Sequence, residues 1–125
     1  EMKYQTKDSG KREEYKSGMR RDLQKGKPDF YLMIPDMPYS EQILTRWAEL
    51  MTRGADKYGR RNWQLASSEE ELERFKSSAL RHMYQWLCGE EDEDHMSAIL
   101  FNVSCAEYIR WRLNARKKSI RQKNR

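Results

Sequence analysis

The chain has no apolar run approaching the roughly 18 residues needed to cross a bilayer, which excludes a membrane-spanning helix. Its first residues, Glu1-Met2-Lys3-Tyr4, lead into a polar stretch, so no secretory signal segment is expected. Only two cysteines are present, Cys88 and Cys105, too few for a disulfide framework. They read as reduced, core-type residues of a cytoplasmic protein. No alternating β-branched run appears, which argues against a sheet-based fold. The absence of a 20–50-residue repeat or a low-complexity tract excludes solenoids and fibrous arrays. Apolar residues are scarce too: 37% hydrophobic against 36% charged over 125 residues. That supports one modest core, with part of the chain disordered or completed by a second subunit.

The net charge of +5 is unevenly placed. Residues 113–125 hold six basic residues and no acid, which leaves nineteen basic against twenty acidic elsewhere. The chain therefore reads as a near-neutral body with a basic C-terminal tail. Such a tail can make weak, non-specific contacts to nucleic-acid phosphates, or simply be a solvated helix end.

Residues 1–17 are polar and aperiodic, and read as a disordered or extended arm. Residues 18–112 form the foldable domain. It opens with a loop punctuated by Gly18, Gly26, Pro28, Pro35 and Pro38, whose apolar strip Phe30–Ile34 is expected to dock on the core. A first helix is predicted from an N-cap at Ser40, with a stripe of Ile43, Leu44, Trp47, Leu50 and Met51 and a stop at Gly54. A polar loop follows over 54–66. A second helix begins with the capping box Ser68–Glu71, carries Leu72, Phe75, Ala79, Leu80, Met83, Trp86 and Leu87, and ends at Gly89. A third starts within the acidic run 90–94 and carries Met96, Ile99, Leu100, Val103 and Ala106. The fold class is all-α: a small bundle of three or four main helices with long functional loops, completed by oligomerisation.

Long polar loops in a small domain often carry function. Lys57, Tyr58, Arg61, Asn62 and Trp63 place cations, an amide and two rings within seven residues. Arg and Lys suit phosphate oxygens and a ring can stack on a base; the bland alternative is a turn with solvated charges. Ser78, Arg81 and His82, at i, i+3 and i+4, share a helix face that can line a cavity. Glu91 and Asp94 put two carboxylates on one face, Glu49 can meet them from the first helix, and His95 with Asn102 continues a polar seam. Hard divalent ions want such oxygens, although acids at a helix N-terminus also serve its dipole.

These blocks, in this order, resemble the phage dATP/dGTP diphosphohydrolase N-terminal domain family. The carriers are Gly18–Asp22, Gly26-Lys27, Gly54–Trp63, Ser78–His82, and Gly89–His95 with Asn102, and the similarity spans roughly residues 18–110. The resemblance implies hydrolysis of dGTP or dATP to the monophosphate. It also implies kinship with the all-α MazG-like pyrophosphohydrolases, which hold Mg²⁺ on carboxylates of adjacent helices and work as oligomers. One departure stands out: the first helix offers only Glu41 and Glu49, and the third offers His95 and Asn102 instead of a second carboxylate pair.

On this reading Glu49, Glu91 and Asp94 hold Mg²⁺, with Mn²⁺ or Co²⁺ as alternatives. Glu91, Asp94 or His95 acts on the attacking water. Arg21, Lys27, Lys57 and Arg61 clamp the phosphates of a purine deoxynucleoside triphosphate. Tyr58 or Trp63 stacks on the base, Asn62 contacts it, and Ser78, Arg81, His82 and Asn102 complete the substrate site. Two alternatives stand beside it: a non-catalytic protein that sequesters nucleotides with the same basic and aromatic loops, and a nucleic-acid-binding accessory protein acting through its basic tail.

Overall fold

The computed structural model describes residues 4–125, which fall into two units divided after Asp36. In the first, Arg12–Glu14 (β1) pairs antiparallel with Arg20–Asp22 (β2). Arg12 faces Asp22, Glu13 faces Arg21 and Glu14 faces Arg20. Each opposed pair joins a base to an acid, so charge complementarity across the strands favours a pairing that alternation does not announce. Part of the expected arm is thus a hairpin; its residues 1–3 lie outside the described residues. The strip expected to bury itself forms a short 3-10 turn, Phe30–Met33, whose side chains are 70–84% exposed.

The second unit holds three helices: Ile43–Tyr58 (α1), Glu69–Leu87 (α2) and His95–Lys123 (α3). No helix among the described residues is long and apolar enough to cross a membrane. Ser40 is not the cap of α1. It sits in a 3-10 turn, Tyr39–Glu41, and the helix begins after Gln42. Nor does Gly54 stop it. One glycine costs a helix about 1 kcal/mol, too little to break it, and α1 runs four residues further. It stops at Gly59, whose φ of 91° an L side chain rarely adopts. The Ser68–Glu71 box forms as predicted: Glu71 N donates to Ser68 Oγ at 3.2 Å, and Ser68 Oγ donates to Glu71 Oε1 at 2.7 Å. Gly89, at φ 80°, follows the end of α2.

Helix α3 is the spine, packing against both α1 and α2. Its inward face runs His95, Ala98, Ile99, Asn102, Cys105, Ala106 and Ile109, all buried at three- and four-residue spacing. The distal half is apolar: Ala66, Leu72, Ala106 and Ile109 cluster, with Phe75 and Leu113 against them. The N-terminal half is polar, with His95, Ser97 and Asn102 buried there and His82 buried on α2. Beyond Leu113 the basic segment is no separate tail; it continues α3 to Lys123 as an exposed helix.

Candidate functional site

The helical unit carries a cleft of about 330 Å³ at the C-terminal end of α1, within the range of small-molecule sites. Arg53, Lys57, Tyr58, Arg61, Asn62 and Trp63 line one side, Phe101 and Glu93 the other. Five residues singled out from the sequence, Lys57, Tyr58, Arg61, Asn62 and Trp63, therefore share one cavity. The turn that gathers them is built from two left-handed residues, Gly59 and Arg61, the latter at φ 60°. Arg61 is the sole non-glycine residue with positive φ among the described residues, and such strain concentrates at functional sites. The turn is pinned from α3 by Arg112, whose Nη1 donates to the carbonyls of Gln64 at 2.6 Å and Ala66 at 3.2 Å.

The two rings differ in availability. Trp63 is half-buried and meets Tyr108 edge-on at 5.1 Å, so it forms wall and core together. Tyr58 is 67% exposed, with the Lys57 ammonium 5.6 Å from its centroid. Tyr58 is the ring free to stack on a ligand.

The acidic turn between α2 and α3 divides its labour. Asp94 caps α3: it accepts from Ser97 N at 3.2 Å and Ser97 Oγ at 2.8 Å. It also accepts a fork from Arg46, Nε at 2.8 Å and Nη2 at 2.6 Å. The Arg46 guanidinium, helped by Ser97, holds the Asp94 carboxyl down at about 2 despite its partial burial. Both oxygens of Asp94, expected as metal ligand and catalytic carboxylate, are engaged in these bonds, which clamp α1 to the start of α3. Glu49 and Glu91 are exposed; Glu91 borders a smaller recess of about 210 Å³ beside Arg46 and His95. The three carboxylates expected to share an ion are thus not an equivalent, open set.

Beside the clamp lies a buried chain of polar contacts. His82 Nδ1 and His95 Nδ1 are 2.9 Å apart, and His95 Nε2 is 2.7 Å from Asp92 Oδ1. An ionised carboxylate only accepts, so His95 Nε2 donates to it. In the neutral pair His95 Nδ1 is then bare and receives the proton on His82 Nδ1. Burial, reinforced by Arg81, lowers the pKa of His82, while the bond from His95 lowers that of Asp92. His95, expected to act on the attacking water, is 2% exposed, its ring enclosed between His82 and Asp92.

Arg81 is exposed and bonds along its own helix to Gln85 and Ser78. Asn102 is buried and donates to the Ala98 carbonyl at 2.7 Å, a structural bond. Arg21 and Lys27 belong to the N-terminal unit, where Lys27 is paired with Asp22 at 3.2 Å. Sequence reasoning missed Arg46, Asp92 and Glu93. Asp92 was within reach, since it lies three residues before His95. Glu93 matters most, because it borders the cationic cleft and also groups with His82 and His95.

A family model described as dATP/dGTP diphosphohydrolase, N-terminal, matches residues 16–121. It spans the cleft, the acidic turn and the histidine pair, and reaches into the basic end of α3. No curated protein and no solved structure matches the chain.

Proposed function

The chain belongs to the dATP/dGTP diphosphohydrolase N-terminal family, and from that premise we propose that its cleft binds a purine deoxynucleoside triphosphate and hydrolyses it to the monophosphate and pyrophosphate. The observation that carries this reading is one cavity lined by Arg53, Lys57 and Arg61, by the exposed ring of Tyr58, and by a single carboxylate, Glu93. A triphosphate brings about four negative charges, which the three cations offset through charge-assisted bonds. Stacking on Tyr58 contributes on the order of 1–3 kcal/mol without choosing between bases; Asn62 supplies the donor and acceptor that read a purine edge. Glu93 orients water for attack at the α-phosphorus. The α–β anhydride breaks, pyrophosphate leaves, and the water proton passes to the carboxylate. Positioning and fixed charge supply most of the acceleration.

A divalent ion is expected for such chemistry. The trio Glu49, Glu91 and Asp94 does not fit one, since Arg46 and Ser97 occupy Asp94. The residues that fit are His82, Glu93 and His95, whose donor atoms lie within 4.8 Å of one another; an ion there would add positive charge beside the phosphates. Incubating the protein with each deoxynucleoside triphosphate and Mg²⁺, Mn²⁺ or Co²⁺, and separating the products, should show pyrophosphate and a monophosphate from dGTP or dATP. No release across that panel would sink the catalytic reading.

The occupied state of Asp94 favours one rival, a protein that sequesters nucleotides without turning them over. Calorimetry in EDTA separates the two. Tight binding without product supports sequestration; metal-dependent turnover excludes it.

A further inference from the structure

We propose that His82, His95 and Glu93 form a site for a borderline transition ion of the Zn²⁺, Co²⁺ or Mn²⁺ class, in place of an all-carboxylate Mg²⁺ site. Two imidazole nitrogens bound to one ion at about 2.0–2.1 Å stand roughly 2.9 Å apart at a right angle and about 3.4 Å apart at the tetrahedral angle. The two Nδ1 atoms are 2.9 Å apart, with ring planes at 43°. They come from different helices, His82 on α2 and His95 at the first position of α3, and both rings are buried. The protein therefore holds them in place whether or not an ion is bound.

The third donor is exposed where the first two are buried. Glu93 is exposed, and one of its oxygens lies within 4.8 Å of a ring nitrogen of each histidine, near enough to serve as the third donor. The fourth group, Asp92, has a different task. It takes the Nε2–H of His95 at 2.7 Å, which fixes the tautomer that leaves Nδ1 free to bind. A carboxylate behind a liganding histidine is the usual outer partner of such sites, and losing it typically costs about 10–100-fold in affinity. Without an ion the two Nδ1 atoms must share a proton. Ion binding moves that proton to Nε2 of His82, and no charge is lost. Imidazole donors favour Zn²⁺, Co²⁺ and related ions, whereas Mg²⁺ asks for oxygen. Glu93 also lines the cleft, and a carboxylate has two oxygens, so the ion and the attacking water can share it.

The site rests on its own geometry, and only its use in hydrolysis rests on the proposed function. The test is binding, without nucleotide. Untagged, metal-free full-length protein is titrated with Co²⁺ and followed by visible absorption, then with Zn²⁺, Mn²⁺ and Mg²⁺ by calorimetry. One equivalent of Co²⁺ should give ligand-field bands, and Zn²⁺ should displace it while millimolar Mg²⁺ does not. Glu93→Gln, at an exposed position, should weaken binding about tenfold or more with unchanged circular dichroism. Asp92→Asn should weaken it about 10–100-fold, and His82→Gln should abolish it. Imidazole nitrogen shifts should assign binding to Nδ1. No stoichiometric binding, binding indifferent to Glu93→Gln, or preference for Mg²⁺ would overturn the proposal and leave the pair a hydrogen-bonded structural dyad. Metal binding without turnover of any deoxynucleoside triphosphate would sink the proposed function and keep the site. Turnover with Mg²⁺ and no Co²⁺ binding would do the reverse.

Discussion

At the scale of single residues, the Arg46–Asp94 pair decides how the acidic turn is held. Its side chains are 34% and 25% exposed, so solvent screens the attraction and its net value is modest. Arg46→Ala removes a forked, charge-assisted contact and strands a half-covered carboxylate, which costs about 1–2 kcal/mol. Asp94→Ala loses the helix cap as well and should be worse by about 1 kcal/mol. Urea unfolding of both variants measures the order; equal loss would mean that the cap contributes nothing. The pH dependence follows from the same pair. The Asp94 carboxyl lies at about 2 when folded against 3.8 ordinarily. A lowered value stabilises the fold fully above the ordinary one, and that stability drains away as pH falls from about 3.8 towards 2. The acid transition of Asp94→Asn should be correspondingly shallower over that window, and an unchanged profile would exclude the clamp as its source. The spacing of Asp94 from Ser97 is that of a capping residue and is legible in the sequence. Its bond to Arg46, 48 residues away, is not, because nothing local marks a contact made by tertiary packing.

At the scale of elements, the turn between α1 and α2 is where stability and function pull apart. Arg61 sits at φ 60°, a conformation that costs a residue with a Cβ roughly 1–2 kcal/mol. Glycine at that position removes the strain but adds freedom to the unfolded chain, for a net gain of about 0.5 kcal/mol. Arg61→Gly should therefore raise the melting temperature slightly while weakening triphosphate binding about five- to tenfold, the loss of one charged contact. Thermal unfolding and nucleotide titration on the same variant check both halves. A lower melting temperature, or unchanged affinity, would show that the strain is not held for the ligand. The helices themselves were readable from period and caps, as Ser68–Glu71 and Gly89 illustrate. Their limits were less so: Gly54 looks like a stop because composition cannot tell a tolerated helical glycine from a terminal one at positive φ. The hairpin was hidden for another reason. Three acid–base pairs oppose each other in it, two of them within ion-pair distance, and a search for apolar alternation passes over them. Within the site, the cation-rich loop was visible as a local run, whereas the His82–His95–Asp92 chain was not. Asp92 is local to His95, but His82 lies on another helix, and only the packing of α2 on α3 brings the two rings together.

At the scale of the molecule, α2 carries more apolar surface than its neighbour covers. Leu72, Phe75, Ala79 and His82 turn inward at three- and four-residue spacing. Leu80, Tyr84 and Leu87 recur at i, i+4 and i+7 on the adjacent arc, and each is 68–69% exposed. Leu72, Phe75, Ala79, Leu80 and Leu87 belong to the stripe expected from the sequence, which is split between the two arcs, and α3 covers only the first of them. A lone helix in a monomer gains nothing from holding three large side chains in water, and contiguous patches of this kind mark association. No further helix among the described residues covers this arc, and the expected cover is a second copy of the chain, since two α2 faces meeting across a twofold axis present the same residues to each other. A stable pairing needs roughly 1,200–2,000 Å² in total, more than three side chains provide, so the contact must extend to neighbouring exposed residues. Light scattering behind size exclusion should report twice the chain mass at tens of micromolar. Leu80→Glu with Leu87→Glu should return the protein to a monomer whose helical circular dichroism is unchanged, because neither residue belongs to the internal core. If the unmodified chain runs as a monomer up to about 100 µM, the face is not a self-association surface. A stable dimer that survives both substitutions would place the interface on another side of the bundle.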